Sequence, residues 1–144
     1  MNAKQWVAGT IVGGIVVYVL GPAIWGYLFA DFFAANVGSA TGVSRDANIN
    51  WAVGVGSLAY AGLMVFALAQ RGGALTIANA IKVCAIVGFL LWLTVDFIHY
   101  GTNNVSNLTA AIADPLLELV RAGIVGAVLG VLLPKLAEGP RATS

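Results

Sequence analysis

Six polar residues fall into two sets with helical spacing. Asp96, His99 and Asn103 recur at three- and four-residue steps, and so do Asp114, Glu118 and Arg121. Such steps place three groups on one face of a helix. In an antiparallel hairpin the pairs 96/121, 99/118 and 103/114 would share levels, since each pair of positions adds to 217. The expected result is a polar ladder with Asp96–Arg121 deepest, His99–Glu118 next and Asn103–Asp114 at the mouth. Trp92 continues the same face inward. Ionisable groups inside a membrane normally pair or line a cavity. Three chemistries follow: a neutralised pair that pins the hairpin, a binding or proton-handling pocket open to one side, or a metal site using Asp96, His99, Glu118 and Asp114. A single His lacks the paired-His spacing that metal sites usually show, and nothing specific marks His99 as a haem ligand. No cofactor follows from these residues.

The depth of the ladder comes from spacing. Lys82 and Asp96 are fourteen positions apart, about 21 Å along a helix at 1.5 Å per residue. The hydrocarbon layer is about 30 Å thick. Lys can snorkel to an interface, whereas a short Asp cannot. Asp96 is therefore expected somewhat inside the outer boundary. Arg121 and Lys135 have the same separation, which sets Arg121 at the depth of Asp96.

The elements that must carry this ladder are apolar. Of 144 residues, 60% are hydrophobic and 9% charged, against about 45–50% and about 25% in a soluble domain. That balance excludes an ordinary soluble domain and a disordered chain. With no basic patch, it also excludes a nucleic-acid binder. The class is all-α: a polytopic membrane protein built as a single domain, a four-transmembrane-helix bundle. Spans are expected at about 6–29, 50–69, 76–99 and 115–135, with a frayed tail at 136–144. Asp114-Pro115 reads as the start of the fourth span, and Pro134 and Gly139-Pro140 as its stop. Gly21-Pro22 should kink the first span. That region is also a weak candidate for signal cleavage, but the uncharged stretch runs on to Ala30, too long for a signal core. Residues 105–113 could make a short interfacial helix.

Lys4, Arg71, Lys82, Lys135 and Arg141 fall on one side of this arrangement, with Glu138 the only acid there. Asp31, Asp46, Asp96, Asp114, Glu118, Arg45 and Arg121 fall on the other. The positive-inside rule then puts both termini in the cytoplasm, and the 30–49 and 100–113 loops outside. Helices in lipid associate through close backbone approach. Gly9, Gly13 and Gly21 on the first span, and Ala122, Gly126 and Gly130 on the fourth, offer it. Their use is either bundle packing or a homodimer face. Trp6, Trp25, Tyr27, Trp51, Trp92 and Tyr100 read mostly as an aromatic belt. Cys84, alone in an apolar run, reads as a packing residue. The sequons at Asn104 and Asn107 read as capping and loop-folding signals. Trp25 before Asp31-Phe32 and Trp92 before Asp96-Phe97 hint at two similar halves.

The run Asp96-Phe97-Ile98-His99-Tyr100-Gly101-Thr102-Asn103-Asn104, with Asn107-Leu108-Thr109 and Asp114-Pro115, resembles a family. Together with Ala30-Asp31-Phe32-Phe33-Ala34-Ala35-Asn36, it is similar to small bacterial four-span membrane proteins of unknown function. The resemblance implies four helices and an inner (plasma) membrane location, and transfers no catalytic residue. No nucleophile–base pair, phosphate loop or CxxC motif is present. The leading expectation is a non-enzymatic bundle in the lipid bilayer, an accessory or self-associating subunit of a homo-oligomer or larger complex. The alternatives are a small transporter or ligand-binding protein with an outward pocket between spans three and four, and a redox or enzyme-complex subunit.

Overall fold

A computed structural model describes residues 1–137; the Glu138–Ser144 tail, with the Gly139-Pro140 stop and Arg141, lies outside the described residues. Every regular element in that range is a helix: α1 (Ala3–Gly21), a π-helical segment (Pro22–Leu28), α2 (Ala30–Ala35), α3 (Asn50–Gln70), α4 (Ile77–Thr102) and α5 (Leu108–Ala137). Four stretches are long and apolar enough to cross a membrane: Ala3–Leu28, Asn50–Gln70, Ile77–Thr102 and Leu108–Ala137.

Local chemistry sets the helix ends. Asn2 and Gln5 form a reciprocal capping box at the start of α1, which satisfies free N–H groups of the first turn. Thr76 caps α4 through Asn79 N–H. Pro22 does not end the first long helix. The backbone widens into a π-helix, seen in the Phe29 N–H to Ile24 carbonyl bond at 2.8 Å. A π-turn takes up the missing proline donor and the ring's steric demand while the helix continues.

The fourth long helix starts earlier than Asp114-Pro115. Asn107 Oδ1 accepts from Ala110 N–H at 3.0 Å, so the cap lies seven residues upstream of Asp114 and the helix runs from Leu108. The stretch expected as an interfacial helix is thus partly its first turns. Pro115 and Pro134 both lie inside α5. Each removes one backbone donor; α5 continues past Pro115 for about six turns, and past Pro134 for three residues to Ala137.

Packing divides the chain into two hairpins. α4 lies along α5, α1 lies along α3, and α1 also meets α5. Met64, Val65, Cys84, Val125, Leu129 and Leu133 fill the shared core. Glycines set the approach distances. A Cβ on Gly126 would meet the Ala80 carbonyl, and one on Gly130 would lie 2.8 Å from Ile77 Cα. A Cβ on Gly9 would lie 2.9 Å from Leu133 Cδ2, and one on Gly13 would lie 3.1 Å from the Ala61 Cβ. Gly9, Gly13, Gly126 and Gly130 are therefore used in packing within the chain.

These contacts also fix the α4–α5 register. Ala80 faces Gly126, Ile77 faces Gly130 and Gly88 faces Ala122. The facing positions add to between 206 and 210, not to 217. The cause is the short connection: α4 runs on to Thr102 and α5 begins at Leu108. Asp96 is thus level with the region of residue 112. Arg121 sits about nine residues deeper, or roughly 13 Å at 1.5 Å per residue.

At the opposite end from the 71–76 turn, two loops meet. Gly38 N–H donates to the Val105 carbonyl and Ala40 N–H to the Asn104 carbonyl, each at 2.9 Å. Val37 and Ser106 form an antiparallel bridge. Asn107 Nδ2 donates to Asn36 Oδ1 at 3.0 Å, and Asn107 N–H to the Asn36 carbonyl at 3.1 Å. Gly38 is required here, because a Cβ would run into the Asn104 carbonyl.

Candidate functional site

Glu118 and Arg121 occupy one face of α5, a single turn apart, near the middle of the helix. The spacing brings their side chains together without help from any other element. Glu118 Oε2 lies 2.7 Å from Arg121 Nη2, and Arg121 Nε donates to Glu118 Oε1 at 3.2 Å. This two-point contact uses the planar guanidinium fork. Glu118 is fully buried and Arg121 is 7% exposed.

The other helices complete the surroundings. Tyr60, at the centre of α3, donates from its hydroxyl to Glu118 Oε1 at 2.6 Å. The π-helical segment supplies Trp25 and α4 supplies Trp92. The guanidinium carbon is 4.6 Å from the Trp25 ring centroid, 5.3 Å from Trp92 and 5.8 Å from Tyr60. Tyr60 and Trp92 also contact each other, with centroids 5.1 Å apart. Three aromatic rings thus cage one cation by cation–π attraction. The Gly21 backbone closes in as well: a Cβ there would be 3.3 Å from Arg121 Nη1.

Above the cage lies an open pocket of about 740 Å³. Trp25, Trp92, Asp114 and Arg121 line its deep part, and Ser44 and Asn48 of the loop before α3 line its rim. Trp25 Nε1 donates to Asp114 Oδ1 at 2.6 Å, fixing the carboxylate at the wall. The pocket is bounded by the first long helix, α3, α4 and α5, rather than by α4 and α5 alone as the ladder implied.

The expected ladder does not form. Arg121 pairs with Glu118 on its own helix, not with Asp96, because the register separates Asp96 from it by about two turns. His99 is exposed on the last turn of α4 and cannot meet the buried Glu118. Asn103 is exposed at the end of α4; its N–H donates to the His99 carbonyl at 2.8 Å, and its Oδ1 accepts from Val105 N–H at 3.3 Å. Asp114 is tied to Trp25 instead of Asn103. Asp96 is half-buried, and its Oδ2 has no partner among the described residues. The charges that act on Asp96 are those of Asp114 and Glu118, two more carboxylates. Among the described residues, no three His, Cys, Asp or Glu side chains are gathered as metal ligands. The quartet Asp96, His99, Asp114 and Glu118 is dispersed.

Tyr60 and Trp25 are the residues that sequence reasoning leaves out of the site, whereas Trp92 is placed on the inner face of the ladder. Tyr60 carried a usable signal: a phenol in the middle of an apolar helix needs a partner for its hydroxyl. Trp25 reads from the sequence as a belt residue only, and Trp92 as a belt residue that also continues the ladder face. Trp51, Tyr27 and Tyr100 are exposed, and Trp6 packs against Phe66, with centroids 6.2 Å apart. The tryptophans of the two similar Trp-to-Asp-Phe segments are the two that flank Arg121. Comparison with protein-family models, with curated proteins and with solved structures finds no match to this chain.

Proposed function

We propose that this chain is a four-span integral membrane protein that holds a small ligand in the pocket above Arg121, without chemistry of its own. The carrying observation is the open, aromatic-walled pocket that descends from the loop end to a buried ion pair. Ligand sites are typically concave and mostly apolar, with a few convergent polar groups, and an intramembrane charged pair facing a cavity marks such a site. Membrane insertion is supported by the outward apolar faces, such as Ile11, Ile15 and Val19 of α1 and Leu90 of α4, all exposed. The orientation follows the positive-inside rule: Lys4, Arg71, Lys82 and Lys135 lie at the helix ends away from the pocket, which then opens outward. A bacterial inner-membrane location is part of the same reading, drawn from the family resemblance of the 96–115 stretch.

A second reading, an accessory subunit in which the caged arginine only locks the bundle, is favoured by the pairing of Glu118 with Arg121 and Tyr60 inside the chain. Native mass spectrometry from mild detergent separates the two. Ligand holding expects a small non-lipid mass on the wild-type chain that is lost in Trp92→Ala. A wild-type chain that carries none overturns it.

A further inference from the structure

We infer that the pocket takes a small organic cation with a flat apolar body, an inference that rests on the ligand-holding reading above. Charge comes first. Glu118 and Arg121 neutralise each other through their two-point contact. Arg121 also acts on Asp114, but one guanidinium faces two carboxylates, so this group carries a net negative charge, and Asp96, outside the pocket lining, adds a third carboxylate near Asp114. Asp114 gives one oxygen to Trp25; among the described residues its other oxygen has no donor, so it is free to accept from a ligand N–H.

The walls come second. Trp25 and Trp92 both line the pocket, and both already show what they accept. The guanidinium of Arg121 lies over each ring, at 4.6 Å from the Trp25 centroid and 5.3 Å from the Trp92 centroid, within the distance at which aromatic faces attract cations. A second flat cation entering from the rim would meet the same ring chemistry with a carboxylate at its edge.

An anion is disfavoured despite the arginine. Nε and Nη2 of Arg121 are committed to Glu118, which leaves Nη1, beside Gly21, as the one nitrogen of the fork still open to an acceptor. An incoming carboxylate or phosphate would find little of the donor fork and would face Asp114.

The test uses three probes of nearly one shape: benzamidinium, neutral benzamide and anionic benzoate. Each is titrated calorimetrically into the full chain in mild detergent at low salt. Benzamidinium is expected to bind saturably and at least tenfold more tightly than either of the others. Asp114→Asn is expected to weaken it at least tenfold while leaving thermal unfolding within a few degrees of wild type. If Asp114→Asn fails to fold, Trp92→Phe serves instead, with a weaker loss expected from the smaller ring. Benzoate or benzamide binding as tightly as benzamidinium, and sensitive to Trp92→Phe, would refute the cation preference and keep the pocket. If no probe saturates, the ligand-holding reading falls with the inference.

Discussion

Removing Glu118 should cost more than removing the whole ion pair. In Glu118→Gln the guanidinium of Arg121 keeps its aromatic cage but loses its counter-charge while 7% exposed. Breaking a buried pair from one side costs about 3–5 kcal/mol, because the remaining charge is uncompensated. At about 2–4 °C per kcal/mol for a chain near this size, the melting temperature should fall by roughly 6–20 °C. Arg121→Met should cost a similar amount, since Glu118 would be left with only the Tyr60 hydroxyl. The double variant removes both charges, so it should lose clearly less than the two singles together. The coupling should be at least about 1.5 kcal/mol, within the range for contacting residues. Circular dichroism melts in one detergent at fixed protein concentration measure all four corners of the cycle. A parallel cycle of Asp96→Asn with Arg121→Met should be additive within about 0.5 kcal/mol, given the roughly 13 Å along the helices between those levels. Additivity in the first cycle, or strong coupling in the second, would refute the register and the pairing together.

Tyr60→Phe deletes one hydrogen bond to a charged acceptor and should cost about 1.5–3 kcal/mol; a melt within a degree of wild type would show that the bond contributes nothing net. Gly88→Ala should destabilise by about 1–3 kcal/mol, since the new methyl would meet the Tyr60 hydroxyl and lie 2.5 Å from the Ala122 Cβ. Gly54→Ala, where a Cβ meets nothing within 4 Å, should instead be neutral or stabilising by up to about 1 kcal/mol, and thermal melts compare the two directly. Asn107→Ala removes the α5 cap and the bond to Asn36 and should cost about 1–2 kcal/mol. Hydrogen exchange should quicken in the 36–40 and 103–112 backbones before it changes in the core.

The four apolar helices were legible because hydropathy is a sum over local residues and needs no knowledge of neighbours. The start of α5 was not, because two signals competed. Asp114-Pro115 has the right residue types for a helix start, yet Asn107 offers a side-chain cap earlier, and the outcome depends on the loop contact with Asn36. The ladder residues stand out as few, polar and helically spaced, and of the six the structure pairs Glu118 with Arg121. Their pairing was misread because facing positions across a hairpin depend on where the connection tightens, whereas the Glu118–Arg121 spacing within one helix is guaranteed by the 3.6-residue turn. Trp25 lay beyond sequence reasoning for a different reason. An α-helix and a π-helix aim the same residue in different directions, and only the backbone around Pro22 decides between them.

Trp25 and Trp92 belong to different hairpins, one carried by the first long helix and the other by α4, and Arg121 lies within stacking distance of both. The glycine contacts hold α4 against α5 along their length, so that hairpin should move as one body. Any parting of the two bodies must therefore widen the gap on one side of the guanidinium. The molecule thus contains its own optical gauge: with Trp6 and Trp51 replaced by Phe, the indoles that remain are the two beside the guanidinium, and a change in their intrinsic emission reports a change in the spacing of the halves without an added label.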